Sequence, residues 1–294
     1  MIDVREMIKE MHTTLENRSC TNEAESEQVK QKDKTRTSPP SYPSVGIGAN
    51  VVRLPLWRDF ERAAPSCVLR SALFGVVKRG KRRYLRDEIL KSWGNDKIEF
   101  RGERLDQADL DVWLECLHLV RDTYLGKTVA FEKYAFLRQL GRSTGRQNWK
   151  WLESSIKRMT ACAVTIRTGT RSYFGSLVEK GFTDHEMGRY VIVLNTELVE
   201  LFRAGYTFQH AEKRRLLNTD LAKWLCGYFE SHKATEDEPH RIGVKTLHEL
   251  CGSETHDLWK FRQSLKKAVN QIQVQQVIKK WEISKKDILV VVKF

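Results

Sequence analysis

In the stretch LCGSETHDLWKFRQSLKKAVNQIQ, residues 250–273, groups that carry positive charge or form hydrogen bonds recur at helical spacing. At about 100° per residue, Leu258, Phe261, Leu265, Val269 and Ile272 form one apolar stripe. The opposite face carries His256, Lys260, Gln263, Lys267 and Asn270, with Trp259 and Lys266 at its edge and no acid among them. The chemistry open to such a face is non-covalent. Lysine neutralises phosphate, while Gln, Asn and His hydrogen-bond to base edges. A second set occurs in STGRQNWKWLESSIKRMTA, where Leu152, Ile156 and Met159 turn inward and Arg146, Gln147, Lys150 and Lys157 turn outward; Glu153 is a dissenting acid. One basic helix face is ordinarily solvated surface. Two of them, each followed by a basic hairpin, favour a polyanionic partner. Trp149, Trp151 and Trp259 are read as core or edge packing.

Motifs for covalent chemistry fail in turn. YLGKTVA contains Gly-Lys-Thr, but Arg121 stands where a phosphate loop needs a further glycine. HEMGR and HELCG begin like zinc-protease motifs, yet Arg189 and Gly252 occupy the second histidine position, and His240, His248 and Cys251 lack finger spacing. No serine or cysteine sits in a nucleophile elbow. These readings predict a binding protein rather than an enzyme, without cofactor or metal.

The elements that must position the two faces follow from periodicity and turn residues. KIEFRG and RSALFGVVK are strand-like, the latter with a basic exit through Lys78–Arg86. LDQADLDVWLECLHLVRDTYL is a helix capped by Asp106, AFEKYAFLRQLG a short helix closed by Gly141, and the Arg146 helix opens at Ser143 or Thr144. CAVTIRT, RSYFGSLVE and RYVIVLN are strands, with a tight turn at Gly169 and wing cations at Arg167 and Arg171. The order then repeats: a helix capped by Asn218 or Thr219, a short helix ending at Gly252, the helix quoted first, and a hairpin around Lys285 and Lys286, with Lys279 and Lys280 as further phosphate contacts. In a helix-turn-helix module the second helix enters the major groove. The predicted architecture is α+β: a disordered leader over 1–50, then winged-helix domains over 51–195 and 196–294 in tandem.

Composition agrees. Residues 1–50 hold 7 Lys/Arg and 8 Asp/Glu, whereas the remainder holds 44 against 30, so the formal excess of +13 lies in the part that can fold. Nucleic acid, a membrane surface or an acidic protein could answer that charge. No apolar run approaches a bilayer span and the first residues lack a signal-peptide core. The six cysteines are scattered without a CxxC pair, as expected of reduced, buried thiols in a cytosolic protein. Nucleic acid is the leading partner and no membrane is expected.

SALFGVVKR, LDQADLDVWLECL, FLRQLGRSTGRQNWKWLESSIKRMTA and LCGSETHDLWKFRQSLKKAV resemble, in the same order, the TrfA family of plasmid replication initiators. The resemblance runs from Leu54 to the C-terminus. It implies two winged-helix domains that bind repeated origin sequences (iterons) in double-stranded DNA and open the adjacent duplex in the bacterial cytoplasm. It also implies recruitment of the host initiator and replicative helicase, and a monomer–dimer equilibrium that limits copy number. Family members carry a sliding-clamp peptide of the form Gln-Leu-x-Leu-Phe before the first domain. RLPLW stands at that place, keeping Leu54, Leu56 and Trp57 as apolar anchors but replacing the glutamine by Arg53 and the middle residue by Pro55. Those side chains either dock on a clamp or pack on the first domain. A winged-helix transcriptional regulator would share every DNA-binding feature, and direct repeats beside an AT-rich tract would tell the two apart.

Overall fold

A computed structural model describes residues 52–78, 80, 82–184 and 188–294. The leader expected over 1–50, Cys20, Arg79, Lys81 and the HEM of HEMGR lie outside them. The described chain is mixed α+β. It runs β1 (Glu61–Pro65), α1 (Ser66–Leu69), β2 (Phe74–Gly75), β3 (Tyr84–Leu90), β4 (Lys97–Glu103) and β5 (Leu105–Asp106). Then follow α2 (Gln107–Val120), β6 (Val129–Glu132), α3 (Lys133–Gln139), α4 (Arg146–Ala161), β7 (Ala163–Thr168), β8 (Arg171–Gly175), β9 (Lys180–Asp184) and β10 (Arg189–Val193). The last part comprises α5 (Leu198–Arg203), β11 (Tyr206–His210), α6 (Ala211–Arg215), α7 (Asp220–Glu230), β12 (His240–Gly243), α8 (Val244–Leu250), α9 (Leu258–Val274), β13 (Lys280–Ile283) and β14 (Ile288–Val292).

The same order occurs twice. In the first half α2, β6, α3, α4 and the β9–β10 hairpin form one unit, its three strands paired in the order β6-β10-β9. In the second, α7, β12, α8, α9 and the β13–β14 hairpin do the same, paired β12-β14-β13. Each return strand is thereby central, so both of its edges are hydrogen-bonded. Between α4 and β9 the first half inserts β7 and β8, which extend a separate antiparallel sheet, β3-β4-β7-β8.

Local chemistry explains the boundaries. Asp106 caps α2 by accepting from the amides of Ala108 and Asp109, and the Asp109 carboxylate returns a bond to the Asp106 amide. Thr219, of the two candidates, caps α7. The helix α4 is capped by Gly145 rather than by Ser143 or Thr144; Ser143 instead accepts from the Asn148 amide through its backbone and hydroxyl oxygens. Gly252, at φ 57°, turns the chain out of α8.

Two hydrophobic clusters fill the halves. The first extends from Leu54 to Phe202 and the second from Leu217 to Val291. Residues just past the 195/196 boundary read from the sequence therefore belong with the first core: Leu198, Val199, Leu201 and Phe202 are buried there, and β11 pairs with β1. The strand expected over RSALFGVVK shrinks to β2. Its backbone is divided among three partners: the Ala72 amide donates to Lys91, Phe74–Gly75 pairs with Leu105–Asp106, and the Val76 amide donates to Cys251 in the other half. Cys67, Cys116, Cys162, Cys226 and Cys251 are buried free thiols, and burial pushes Cys67 and Cys251 up to about 12. Among the described residues, no helix is long and apolar enough to cross a membrane.

Candidate nucleic-acid interface

Helix α4 is held from below by one carboxylate. Asp109, fully buried at the start of α2, accepts from Ser155 Oγ at 2.6 Å and Arg158 Nη2 at 2.6 Å, and Arg82 Nη1 lies 3.2 Å away. Leu152, Ile156 and Met159 pack into the core as the spacing predicts. That leaves Arg146, Gln147, Lys150 and Lys157 exposed. Lys157 is engaged by Glu153 at 2.7 Å, whereas Arg146 and Lys150 have no ion-pair partner among the described residues. Arg82, in the basic exit of β2, is spent on Asp106 and Asp109 and is only partly exposed.

Helix α9 contains no acid. Phe261, Leu265, Val269 and Ile272 are buried, but Leu258, expected on the same stripe and the first residue of α9, is 37% exposed. His256 precedes the helix, in the turn ahead of its Asp257 cap, and is exposed. Lys260, Gln263 and Lys267 are exposed on the outer face, Lys260 pairing with Asp257 at 2.7 Å. An exposed pair of this kind contributes only about 0–1 kcal/mol and is readily exchanged for another anion. Trp149 and Trp151 pack against the first core as expected, and Arg142 lies 3.6 Å over the Trp151 ring. Trp259 does not pack on a core: it is 68% exposed.

The second hairpin is tied to its helix. Arg262 Nη1 meets Asp287 Oδ1 at 2.5 Å, and Gln273 donates to the Lys279 carbonyl while accepting from Trp281 Nε1. These contacts set Lys285 and Lys286, both exposed at the hairpin tip, relative to α9. Lys279 and Lys280 are engaged by Glu236. In the first half the hairpin that matches this one is β9–β10, whereas Arg167 and Arg171 stand on β7 and β8 of the four-stranded sheet. Arg171 is ion-paired with Glu200. From sequence the first hairpin after α4 reads as the wing because β7 carries a regular alternation, whereas β9, KGFTD, has a glycine and no buried residue.

The clamp-like stretch divides. Leu54 and Trp57 are buried, with Trp57 stacked on Phe202 and its Nε1 donating to His118 Nδ1 at 3.0 Å; only Leu56 is open, at 73%. Two of the three clamp anchors are therefore part of the first core.

The TrfA protein family model matches residues 47–293, most of the chain. The chain belongs to the TrfA protein family. The plasmid replication initiator protein TrfA of Escherichia coli is 27% identical over 229 residues, which cover 74% of this chain and 58% of that protein, so the chain spans a little over half the length of that relative. In fold, this TrfA-family chain is similar to a crystal structure of domains 2 and 3 of RctB, with a TM-score of 0.55 at 13% identity over 78% of this chain and 98% of that one. A second structure of RctB domains 2–3 gives 0.52 at 13% identity, over 78% and 97%.

Sequence reading of this TrfA-family member missed the residues that lock its two halves together. Arg214, 3% exposed, donates from Nε to Asp111 Oδ1 at 2.7 Å and from Nη2 to Gln107 Oε1 at 2.9 Å; Lys223 Nζ reaches Asp111 Oδ2 at 2.5 Å. Trp224 Nε1 donates to the Ser71 carbonyl, and Arg104 Nη2 to that of Gly252. The signal lay in Asp111 on α2, which reads equally well as a solvated acid.

Proposed function

We propose that the chain is a plasmid replication initiator that binds direct repeats at its origin sequence-specifically, opens the neighbouring duplex, and recruits the host initiator and replicative helicase. It does so in the bacterial cytoplasm, by binding and without covalent chemistry of its own. Two tandem winged-helix domains, 51–195 and 196–294, carry the DNA contacts, with the segment before Leu217 packed back on the first. The supporting observation is the pairing of form and charge. Each helix–strand–helix–helix–hairpin unit exposes the outer face of its third helix, and both faces present cations and amides. Arg146, Gln147 and Lys150 on one side, with Lys260, Gln263 and Lys267 on the other, read base edges or phosphates, with Lys157 and His256 at the margins. Lys285 and Lys286 hold phosphate. Arg167 and Arg171 belong to a different sheet from the wing of α4 and contribute at most to the general positive field. Family membership supports the same reading, as does the name of the Escherichia coli relative.

The test compares specific with non-specific binding. Replacing Lys260 and Gln263 together by Ala weakens binding to the cognate origin by about tenfold or more, while binding to scrambled duplex changes less. Equal losses on both DNAs would contradict base reading by α9.

A further inference from the structure

Matching α4 to α9 by their buried residues sets Leu152 against Leu265, Ser155 against Ala268, Ile156 against Val269 and Met159 against Ile272. In that register Gln147 meets Lys260 and Lys150 meets Gln263, so both helices offer an amide and an ammonium at the same two places, in opposite order. At the position before Gln147 and Lys260 the helices differ in kind: Arg146 meets Trp259. Both side chains are exposed, Trp259 at 68%, and Leu258 beside it is 37% exposed.

An exposed tryptophan with a half-exposed leucine beside it is apolar surface that a partner can cover. It lies on a helix with no acid, with Lys260, Gln263, Lys266 and Lys267 exposed along the same helix. Those charges disfavour a plain apolar groove or a basic protein as partner. They favour a polyanion that carries an apolar spot within reach, and in the major groove of duplex DNA that spot is the C5-methyl of thymine.

We propose that Trp259 is a specificity-determining residue that packs on a thymine methyl, at the place on α9 that Arg146 takes on α4. The inference rests on the reading of α9 as a base-reading helix. It predicts an asymmetric site, with a thymine required under the second unit at the place where the first unit presents an arginine, whose commonest base partner is guanine.

The experiment uses the full chain. Duplexes are selected by the protein from a random-sequence pool, and each thymine of the selected sequence is then replaced singly by deoxyuridine, which removes only the methyl. Wild type loses about tenfold in affinity at one thymine. Trp259→Ala, at an exposed position that leaves thermal stability unchanged, binds the parent duplex more weakly and is indifferent to that same replacement. Trp259→Arg shifts the selected base at that position toward guanine. The inference is overturned if no thymine methyl matters to wild type, if Trp259→Ala still feels its loss, or if Trp259→Ala binds every duplex as wild type does, which would assign the indole to a protein partner. If the pool yields no preferred sequence at all, the reading of the chain as a sequence-specific binder fails first, and the two failures are thus distinct.

Discussion

The Arg214 guanidinium and the Asp111 carboxylate, 2.7 Å apart, join the segment leading into the second unit to the central helix of the first. Asp111 also holds Lys223 of α7, so one acid receives a cation from each side of the α6–α7 connection. The result is a polar joint in which two cations and one anion share a partly buried site. It keeps α4 and α9 on one framework, as the proposed reading of a single DNA site by both helices requires.

Asp111→Asn leaves Arg214 and Lys223 without their counter-charge, so a loss of about 3–5 kcal/mol is expected in chemical denaturation. Burial opposes ionisation of Asp111, but the two cations outweigh it and hold its carboxyl below the usual range. A depressed acid contributes stability above its unfolded value, near 4, and loses it as pH falls through the lower folded value. The wild-type advantage over the Asn variant therefore persists from neutral pH down to about pH 4 and fades below.

Glu230 behaves in the opposite sense. Near the end of α7, with Cys226 Sγ 3.5 Å from its carboxyl, burial raises it from 4.5 to about 7. A raised acid contributes fully below the unfolded value, and that contribution declines as pH rises through the folded value. Wild-type stability should fall between pH 4.5 and about 7, and Glu230→Gln should flatten this slope in urea titrations across the same window. An unchanged slope in the Gln variant would assign the effect to other groups.

Trp57→Ala removes a buried indole stacked on Phe202 and should destabilise the chain by about 3–5 kcal/mol. Leu56→Ala, at an exposed side chain, should change stability by less than about 0.5 kcal/mol. If RLPLW acted as a clamp peptide, purified bacterial sliding clamp would bind the folded wild type and lose it in Leu56→Ala. The packing of Leu54 and Trp57 predicts no such complex.

Replacing Lys285 and Lys286 by Ala should reduce the slope of log K against log salt by about 1 for each phosphate no longer neutralised. The weakening should be the same on cognate and scrambled DNA, in contrast to the selective effect of changing Lys260 and Gln263.

Helical periodicity and capping chemistry made much of this fold legible. The stripe Phe261, Leu265, Val269, Ile272 and the helix cap at Asp106 are local patterns, and they stand where expected. Legibility failed where structure depends on distant partners. Tyr84–Leu90 was unread as a strand because a bulge at Leu85/Glu88, with Asp87 at φ 55°, breaks its alternation. The hairpin that matches β13–β14 reads from sequence as β7–β8 because no local signal distinguishes a hairpin that closes a three-stranded sheet from one that extends another. Trp259 falls at the edge of the polar face by spacing and reads as edge packing; the structure leaves it 68% exposed.

Nuclease footprinting of the full chain on its cognate plasmid origin, at one stated salt concentration, tests the central claim that both units grip one continuous duplex. The expected pattern is protection repeated at fixed spacing. Arg146→Ala with Gln147→Ala should then clear one part of every repeat, and Lys260→Ala with Gln263→Ala the other part. Protection without a repeat, or loss of the same bases in both variants, would contradict it.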